Sequence, residues 1–192
     1  MLRRSKRALC GAAAACLLFA CPAYSAPTED KNTSAASYST LSPGEFIWSP
    51  EASTRGNVEI VVSLPLQVAY VYRGGTLIGV STISSGKPGK ETPTGSFEIL
   101  QKRKEHYSNL HDNAPMPYMQ RLTWDGIALH GGKIPGHPAS HGCVRLPEKF
   151  AAQLFAVTKL GAAVHVVDAA ASPDDAVAFL RERPSMQLAS GG

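Results

Sequence analysis

One short segment of the chain contains residue types that could perform thiol catalysis. Within residues 130–145, three histidines (His130, His137 and His141) accompany Cys143 and four glycines. The thiolate is the nucleophilic form of cysteine, and an imidazole with an ordinary pKa of about 6.5 can accept a proton near neutral pH. Glycine lets backbone N–H groups approach a developing oxyanion. The segment predicts a cysteine nucleophile with a histidine base, and spacing alone leaves open which histidine faces the sulfur.

The same side chains raise the alternative of a zinc site. His130, His137, His141 and Cys143 are all ligand types that zinc accepts. Their spacing matches no zinc pattern, and Pro138 would interrupt helical geometry between His137 and His141. We therefore expect no metal and no other cofactor.

The distribution of cysteines supports a functional thiol. Cys10, Cys16 and Cys21 lie in or beside an N-terminal apolar run, so cleavage behind that run would leave Cys143 as the only thiol. An unpaired thiol in an oxidising compartment invites a functional explanation. The alternative is a buried, inert cysteine.

The sequence around Cys143 closely resembles the signature of YkuD-type L,D-transpeptidases. The resemblance is carried by Ser140–Arg145 (Ser-His-Gly-Cys-Val-Arg), preceded by the pair His130–Gly131. Upstream, Ser85–Pro88 and Thr92–Phe97 resemble the Gly-Lys and Thr-Pro-x-Gly segments of the same family. The similarity covers about residues 57–168.

The resemblance implies roles for individual residues. Cys143 would be the nucleophile and His130 its proton donor and acceptor. His141 would help to hold the active-site loop, and the backbone around His141, Gly142 and Cys143 would stabilise the oxyanion. Residues expected to bind substrate are Arg145, Ser140, Gly131 and Tyr118. The stretch between His130 and Ser140 is shorter than in many members, which puts loop-mediated substrate contacts in doubt.

The implied reaction is a two-step acyl transfer on peptidoglycan stem peptides. Cys143 would attack the diaminopimelate carbonyl of a stem tetrapeptide, release D-alanine and then pass the acyl group to an amine, forming a 3→3 cross-link. Water as acceptor would give an L,D-carboxypeptidase, and a protein lysine would give lipoprotein anchoring. Two other classes remain open: a non-catalytic cell-wall-binding module and a thiol peptidase that hydrolyses proteins.

The N-terminus has the pattern of a secretory signal peptide over residues 1–26. Four basic residues precede the apolar run Ala8–Ala20, and Ala23–Ala26 supplies a cleavage zone. The run is too short for an ordinary transmembrane helix, so we expect no stable membrane span after cleavage. The predicted location is the periplasm or cell envelope, with lipidation at Cys21 as an alternative.

The charge distribution argues against nucleic acid as a partner. The formal net charge is +4, and Arg3, Arg4, Lys6 and Arg7 account for all of it, so the rest of the chain is near neutral. A near-neutral domain gives no electrostatic basis for binding a polyanion. We expect a monomer.

The remaining pattern predicts a mainly β domain, a barrel or sandwich, with one principal helix after the cysteine. Residues 27–55 are predicted to be a disordered spacer, 56–168 the catalytic domain, and 169–192 a C-terminal helix and tail. Predicted strands lie at 58–62, 67–72, 77–83, 96–102, within 121–129 and at 163–167. The principal helix is predicted over Pro147–Leu160, and residues 103–118 form a long loop that includes His106 and His111. His165 is expected to face solvent or a partner group, and His137 the cleft rim.

Overall fold

The computed structural model describes residues 41–108 and 113–182. The predicted signal peptide, the Cys21 lipidation site, residues 27–40 of the spacer, His111 and the end of the tail lie outside these residues. Among the helices that are described, none is long and apolar enough to cross a membrane.

The described residues form two β-sheets, two α-helices and a short 3₁₀ helix (Pro50–Ala52), so the prediction of a mainly β fold is confirmed. The first sheet has the order β1-β4-β3-β2-β10-β5, and the second has the order β6-β7-β8-β9. The strands of the first sheet are β1 (Phe46–Trp48), β2 (Val58–Ser63), β3 (Val68–Arg73), β4 (Thr76–Thr82), β5 (Gly95–Glu98) and β10 (Ala163–Val167). Those of the second are β6 (Gln101–Arg103), β7 (Met119–Arg121), β8 (Ala128–Gly131) and β9 (Val144–Leu146).

The predicted strand over 96–102 is in fact two strands that belong to different sheets. The Ile99 amide donates to the Ala162 carbonyl beside the first sheet, and the Leu100 amide donates to the Arg121 carbonyl beside the second. Ile99 is buried in the core between them. The chain therefore changes sheets at this point, which an apolar pattern in the sequence does not reveal.

The helix predicted after Cys143 is present as α1 (Glu148–Val157) and ends earlier than expected. Thr158 adopts an extended conformation, with φ −79° and ψ 159°, and its amide still donates to the Leu154 carbonyl. Phe150 and Leu154 of α1 are fully buried. A second helix of equal length, α2 (Pro173–Glu182), follows β10, close to the short C-terminal helix predicted there.

The prediction of a disordered spacer is wrong at its C-terminal end. Phe46 and Trp48 of β1 pack on Phe150, with ring centroids 5.4 Å and 5.3 Å away. Trp48 lies over Gly79 of β4, where a Cβ atom would come within 2.6 Å of the indole ring. Two partly buried aromatic rings that pack against the core stabilise this short strand, although the flanking composition is polar.

The core lies between the two sheets and fixes which face of the second sheet is left for function. Leu129 of β8 and Val144 and Leu146 of β9 belong to this core. Because side chains alternate along a strand, His130 and Arg145 emerge on the opposite face of the sheet. They are also register partners in the parallel pairing of β8 with β9.

The outer face of the first sheet is covered by α2. Tyr70, Tyr72 and Ala176 are buried in this second cluster, and the Tyr72 hydroxyl donates to the Pro173 carbonyl at 2.7 Å. His165 is fully buried, with Nδ1 2.9 Å from the Ser96 hydroxyl and its ring packed on Phe179. The expectation that His165 faces solvent is therefore wrong. The alternative expectation, that it faces partner groups, is confirmed by Ser96 and Phe179.

Candidate active site

A cavity of about 710 Å³ opens on the outer face of the second sheet. Most of the residues predicted for the site line it together: His130, Gly131, Ser140, His141, Cys143 and Arg145. The site prediction did not name Gly126, Gly132, Lys133 or Glu148, which line it too, nor the segments 105–108 and 114–117, which line it from the long loop predicted over 103–118. These residues come from turns, a helix start and a hairpin, and sequence patterns do not reveal which of those features face the same space.

The loop before Cys143 is closed by the Ser140 side chain. The Ser140 hydroxyl donates to the Cys143 carbonyl and accepts from the Gly142 amide at 3.1 Å. Ser140 is only 1% exposed. Its hydroxyl therefore orders the loop, and the substrate contact predicted for Ser140 is not available to that group in this arrangement.

Gly142 holds a conformation that a side chain would disturb. Its φ is +113°, and a Cβ atom there would lie 2.8 Å from Cδ1 of Ile127. The Gly142 amide is already bonded to Ser140. Gly142 therefore acts as a backbone bend that presents Cys143, and its own N–H is not free for an oxyanion.

The upstream motifs support the nucleophile loop from behind. Ser84 and Arg145 exchange two backbone hydrogen bonds of 3.0 Å, and the Ser85 carbonyl accepts from the Ser140 amide at 3.0 Å. The Thr92 hydroxyl donates to the Gly142 carbonyl and accepts from the Gly86 amide, each at 2.9 Å. The two sequence segments that resembled the family upstream of the cysteine are thus structural supports of the loop.

The Cys143 thiol lies against the turn that precedes β8. It donates to the Gly126 carbonyl at 3.3 Å. Burial raises the pKa of Cys143, while a hydrogen bond from the Ala128 amide and the charges of Arg145 and Arg121 oppose that rise. At neutral pH the resting group is the thiol.

His130 is a buried base candidate in the same cavity. Its side chain is 7% exposed, and Nδ1 lies 2.9 Å from the Gly131 carbonyl. That carbonyl accepts only if Nδ1 carries the proton, which leaves the lone pair on Nε2. Burial lowers the pKa of His130 to about 4; the charges of Arg145 and His106 act in the same direction, and the hydrogen bond to Gly131 opposes them. The imidazole is neutral at pH 7 and able to accept a proton.

A hairpin between β6 and β7 forms one wall of the cavity. The Met116 amide donates to the His106 carbonyl at 2.8 Å, and Tyr107 pairs with Pro115. Met116 belongs to a small apolar cluster with Met119 and Ala128 that packs against Cys143. This wall therefore contributes apolar surface next to the sulfur.

Two residues that the sequence placed in or beside the site, Tyr118 and His137, are not among those that line the cavity. Tyr118 is not among the residues that line it, because its ring packs on Phe155 of α1 with centroids 6.0 Å apart. The binding role predicted for Tyr118 is therefore not supported by its position. His137 is exposed and contributes its backbone carbonyl, which accepts from Ser84. Within the described ranges 41–108 and 113–182, no group of three or more His, Cys, Asp or Glu residues could hold a metal ion.

Comparison with known proteins agrees with this fold. L,D-transpeptidase 1 of Mycobacterium tuberculosis is 28% identical over 123 residues, which are 56% of this chain and 49% of that protein. The solved L,D-transpeptidase from Stackebrandtia nassauensis has a TM-score of 0.54 at 26% identity, over 60% of this chain and 57% of that one. An L,D-transpeptidase solved in complex with imipenem has a TM-score of 0.54 at 27% identity, over 58% of this chain and 59% of that one.

The class of protein is thereby defined as a two-sheet domain of the L,D-transpeptidase type. The model of the YkuD family, the L,D-transpeptidase catalytic domain, matches residues 57–166, and the chain belongs to this family. The chain spans about half the length of the curated relative that it matches.

Proposed function

We propose that this protein is a peptidoglycan L,D-transpeptidase that works through a thioester on Cys143. The observation that carries the proposal is that the Cys143 thiol and the neutral His130 imidazole line one cavity. In that cavity the basic nitrogen of His130 is Nε2, since Nδ1 is held by the Gly131 carbonyl. A nucleophile, a base of fixed tautomer and a third group that orients the base are the parts that covalent acyl transfer requires.

In the acylation step, Cys143 attacks the carbonyl between diaminopimelate and the terminal D-alanine of a stem tetrapeptide. The thiol proton passes to Nε2 of His130, and His130 then gives it to the D-alanine amine as that group leaves. The acyl group remains on sulfur as a thioester. The Gly142 amide is bonded to Ser140, so we assign the stabilisation of the oxyanion to the backbone N–H of Cys143.

The resting protonation states determine how the step begins. Burial keeps Cys143 as a thiol and His130 as a neutral imidazole. Proton transfer therefore accompanies the attack of sulfur on the carbonyl and does not precede it as a standing ion pair. Removal of the base should therefore abolish acylation. If a thiolate were already present, removal of the base would only lower the acylation rate.

In the second step, a neutral amine attacks the thioester carbonyl and gives a proton to Nε2 of His130 as the C–N bond forms. The C–S bond then breaks, and His130 returns the proton to the departing Cys143 sulfur, which restores the resting thiol and neutral imidazole. A diaminopimelate amine of a neighbouring stem gives the 3→3 cross-link. Water gives the tripeptide of a carboxypeptidase, and a protein lysine gives an anchored protein. The products distinguish these acceptors.

The proposal is tested with a carbapenem, because a related L,D-transpeptidase has been solved in complex with imipenem. The wild type and a Cys143→Ala variant are incubated with imipenem, with and without EDTA, and intact masses are recorded. A covalent adduct on the wild type alone, unaffected by EDTA, supports thiol acylation. Absence of an adduct on folded wild type, together with no tetrapeptide turnover, would favour a non-catalytic wall-binding module, and activity lost only with EDTA would favour a metal site.

We also propose that the protein acts outside the cytoplasm, in the periplasm or cell envelope. Its support is the basic and apolar pattern of residues 1–26 and the substrate that we propose. Fractionation of cells that produce the full chain tests this location. The N-terminal mass of the recovered protein distinguishes cleavage near Ala26 from lipidation at Cys21.

A further inference from the structure

A second arginine shares the nucleophile's face of the second sheet. Arg121 of β7 is the register partner of Ala128 in β8, and Arg145 of β9 is the partner of His130. Directly paired residues project to the same face of a sheet. In this sheet β8, which carries His130, lies between β7 and β9. Arg121 and Arg145 therefore flank His130 from the two neighbouring strands.

The Arg121 side chain is held in place without being neutralised. Its Nε–H donates to the Gln101 amide oxygen at 3.0 Å, and its Cζ lies 5.8 Å from the centre of the Trp124 ring. Both partners are uncharged, so the positive charge is kept. A guanidinium fixed at one edge retains further N–H groups in a planar fork, the geometry that binds carboxylates with two hydrogen bonds.

Arg121 lies close to the reacting groups as well as on their face. Ala128, its register partner, belongs to the apolar cluster that packs against Cys143. Met119, two residues before Arg121, packs with Ala128 and Cys143 in one apolar cluster. Burial raises the pKa of Cys143, and the charge of Arg121 opposes that rise. Burial lowers the pKa of His106 on the cavity wall, and the charge of Arg121 lowers it further.

Trp124 extends this surface into solvent. Its side chain is 72% exposed, and it lies in the turn between β7 and β8 that also contains Gly126. The Gly126 carbonyl accepts from the Cys143 thiol. Arg121 and Trp124 lie outside the residues that line the cavity, but through Gly126 their surface adjoins it on the β7 side, whereas Arg145 lines it on the β9 side.

We propose that Arg121 binds one free carboxylate of the acyl-donor stem peptide, while Arg145 binds another. This inference rests on the proposed function. A stem tetrapeptide bears a carboxylate on the leaving D-alanine and others on the acyl side, so a donor lying across β8 presents negative charge in both directions. Two arginines on opposite sides of the scissile carbonyl would hold the donor at two points and fix its orientation.

The test compares donors in which single carboxylates are amidated. One donor keeps all carboxylates free, a second has a terminal carboxamide, and a third has a carboxamide on the acyl side. Wild type, Arg121→Gln and Arg121→Lys are measured with each, and Arg55→Gln, an exposed arginine on the loop before β2, is the matched charge control. KM and kcat are recorded separately, and thermal unfolding shows that each variant is folded.

With the free donor, Arg121→Gln should raise KM about tenfold with little change in kcat, the scale expected for a hydrogen-bonded charge pair. The same variant should no longer discriminate between the free donor and one of the two amidated donors, while it still discriminates against the other. Arg121→Lys should retain part of the preference, and Arg55→Gln should behave as wild type.

Equal discrimination by wild type and Arg121→Gln against both amidated donors would overturn the inference and leave the proposed function standing. The same is true if wild type itself shows no preference for a free carboxylate, a result that requires no variant to fold. If wild type forms no acyl-enzyme with any donor, the proposed function fails and this inference fails with it.

Discussion

The Thr92 hydroxyl donates to the Gly142 carbonyl and accepts from the Gly86 amide, each at 2.9 Å. One buried side chain therefore connects the loop at residues 84–95 to the loop that presents Cys143. Gly86 has no room for a side chain at this junction, because a Cβ atom would lie 2.0 Å from the Lys90 carbonyl oxygen. The shape of the nucleophile loop thus depends on contacts made about fifty residues upstream.

Replacing Thr92 should weaken both the loop and catalysis. Thr92→Val keeps the shape of the side chain but leaves the buried Gly86 amide and Gly142 carbonyl without their partner. We expect a loss of about 1–3 kcal/mol in the free energy of unfolding and a fall in the rate of acylation. Urea unfolding and imipenem acylation rates check this. Thr92→Ser should restore most of both quantities, and a Thr92→Val variant with wild-type acylation would contradict the support role.

Gly142 should tolerate no side chain. Gly142→Ala combines φ +113° with a Cβ atom 2.8 Å from Ile127 Cδ1. We expect kcat/KM to fall by more than about tenfold, since displacement of the loop misplaces the nucleophile. Gly89→Ala is the matched control, because Gly89 also has positive φ (+78°) but a Cβ atom there meets nothing within 4 Å. Similar kinetic effects of the two substitutions would show that positive φ alone, and not the contact with Ile127, is responsible.

The pH dependence of acylation should report the buried imidazole. His130 must be neutral to accept the thiol proton, and burial lowers its pKa to about 4. The rate of imipenem acylation should therefore stay near its neutral-pH value down to about pH 5 and fall around pH 4. Stopped-flow rates over this range check the prediction. An acidic limb near the ordinary imidazole value of about 6.5 would contradict it.

Burial of His130 should also make folding sensitive to acid. A folded pKa of about 4 against an ordinary 6.5 means that the unfolded chain binds the proton first as the pH falls. Stability should decrease from about pH 6.5 to about pH 4, by up to about 3 kcal/mol, and then level off for this group. The free energy of unfolding in urea is measured over this pH range for wild type and for His130→Gln. Carboxylates contribute equally to both proteins, so the difference between the two pH dependences isolates the effect of His130. Equal slopes for the two proteins would exclude it.

The sequence was informative where chemistry depends on residue type and spacing. Cys143 and His130 could be selected from the segment 130–145 together with the family resemblance, and the structure places both in one cavity. The family resemblance also singles out the upstream Gly-Lys and Thr-Pro segments, but it does not predict that they support the nucleophile loop. Their hydrogen bonds to the nucleophile loop join residues far apart in sequence, and a pattern does not encode such pairings.

The structure departs from the pattern of the sequence where packing decides the position of a side chain. Tyr118 lies in a polar segment that borders the cavity, yet its ring packs on Phe155 of α1. Phe46 and Trp48 lie in a polar stretch, yet they pack on Phe150. Glu148 lies at the start of α1 and also lines the cavity, a position that helix patterning does not reveal. In each case tertiary contacts decided the position, and local composition did not.

The most direct test of the account is the intact mass of the protein during incubation with a disaccharide-tetrapeptide. We predict a transient mass increase equal to the donor minus D-alanine on wild type, reversed by hydroxylamine as expected for a thioester. The increase should be absent from Cys143→Ala and from His130→Gln. An adduct that persists in Cys143→Ala, or tetrapeptide turnover by that variant, would contradict the assignment of Cys143 as the nucleophile.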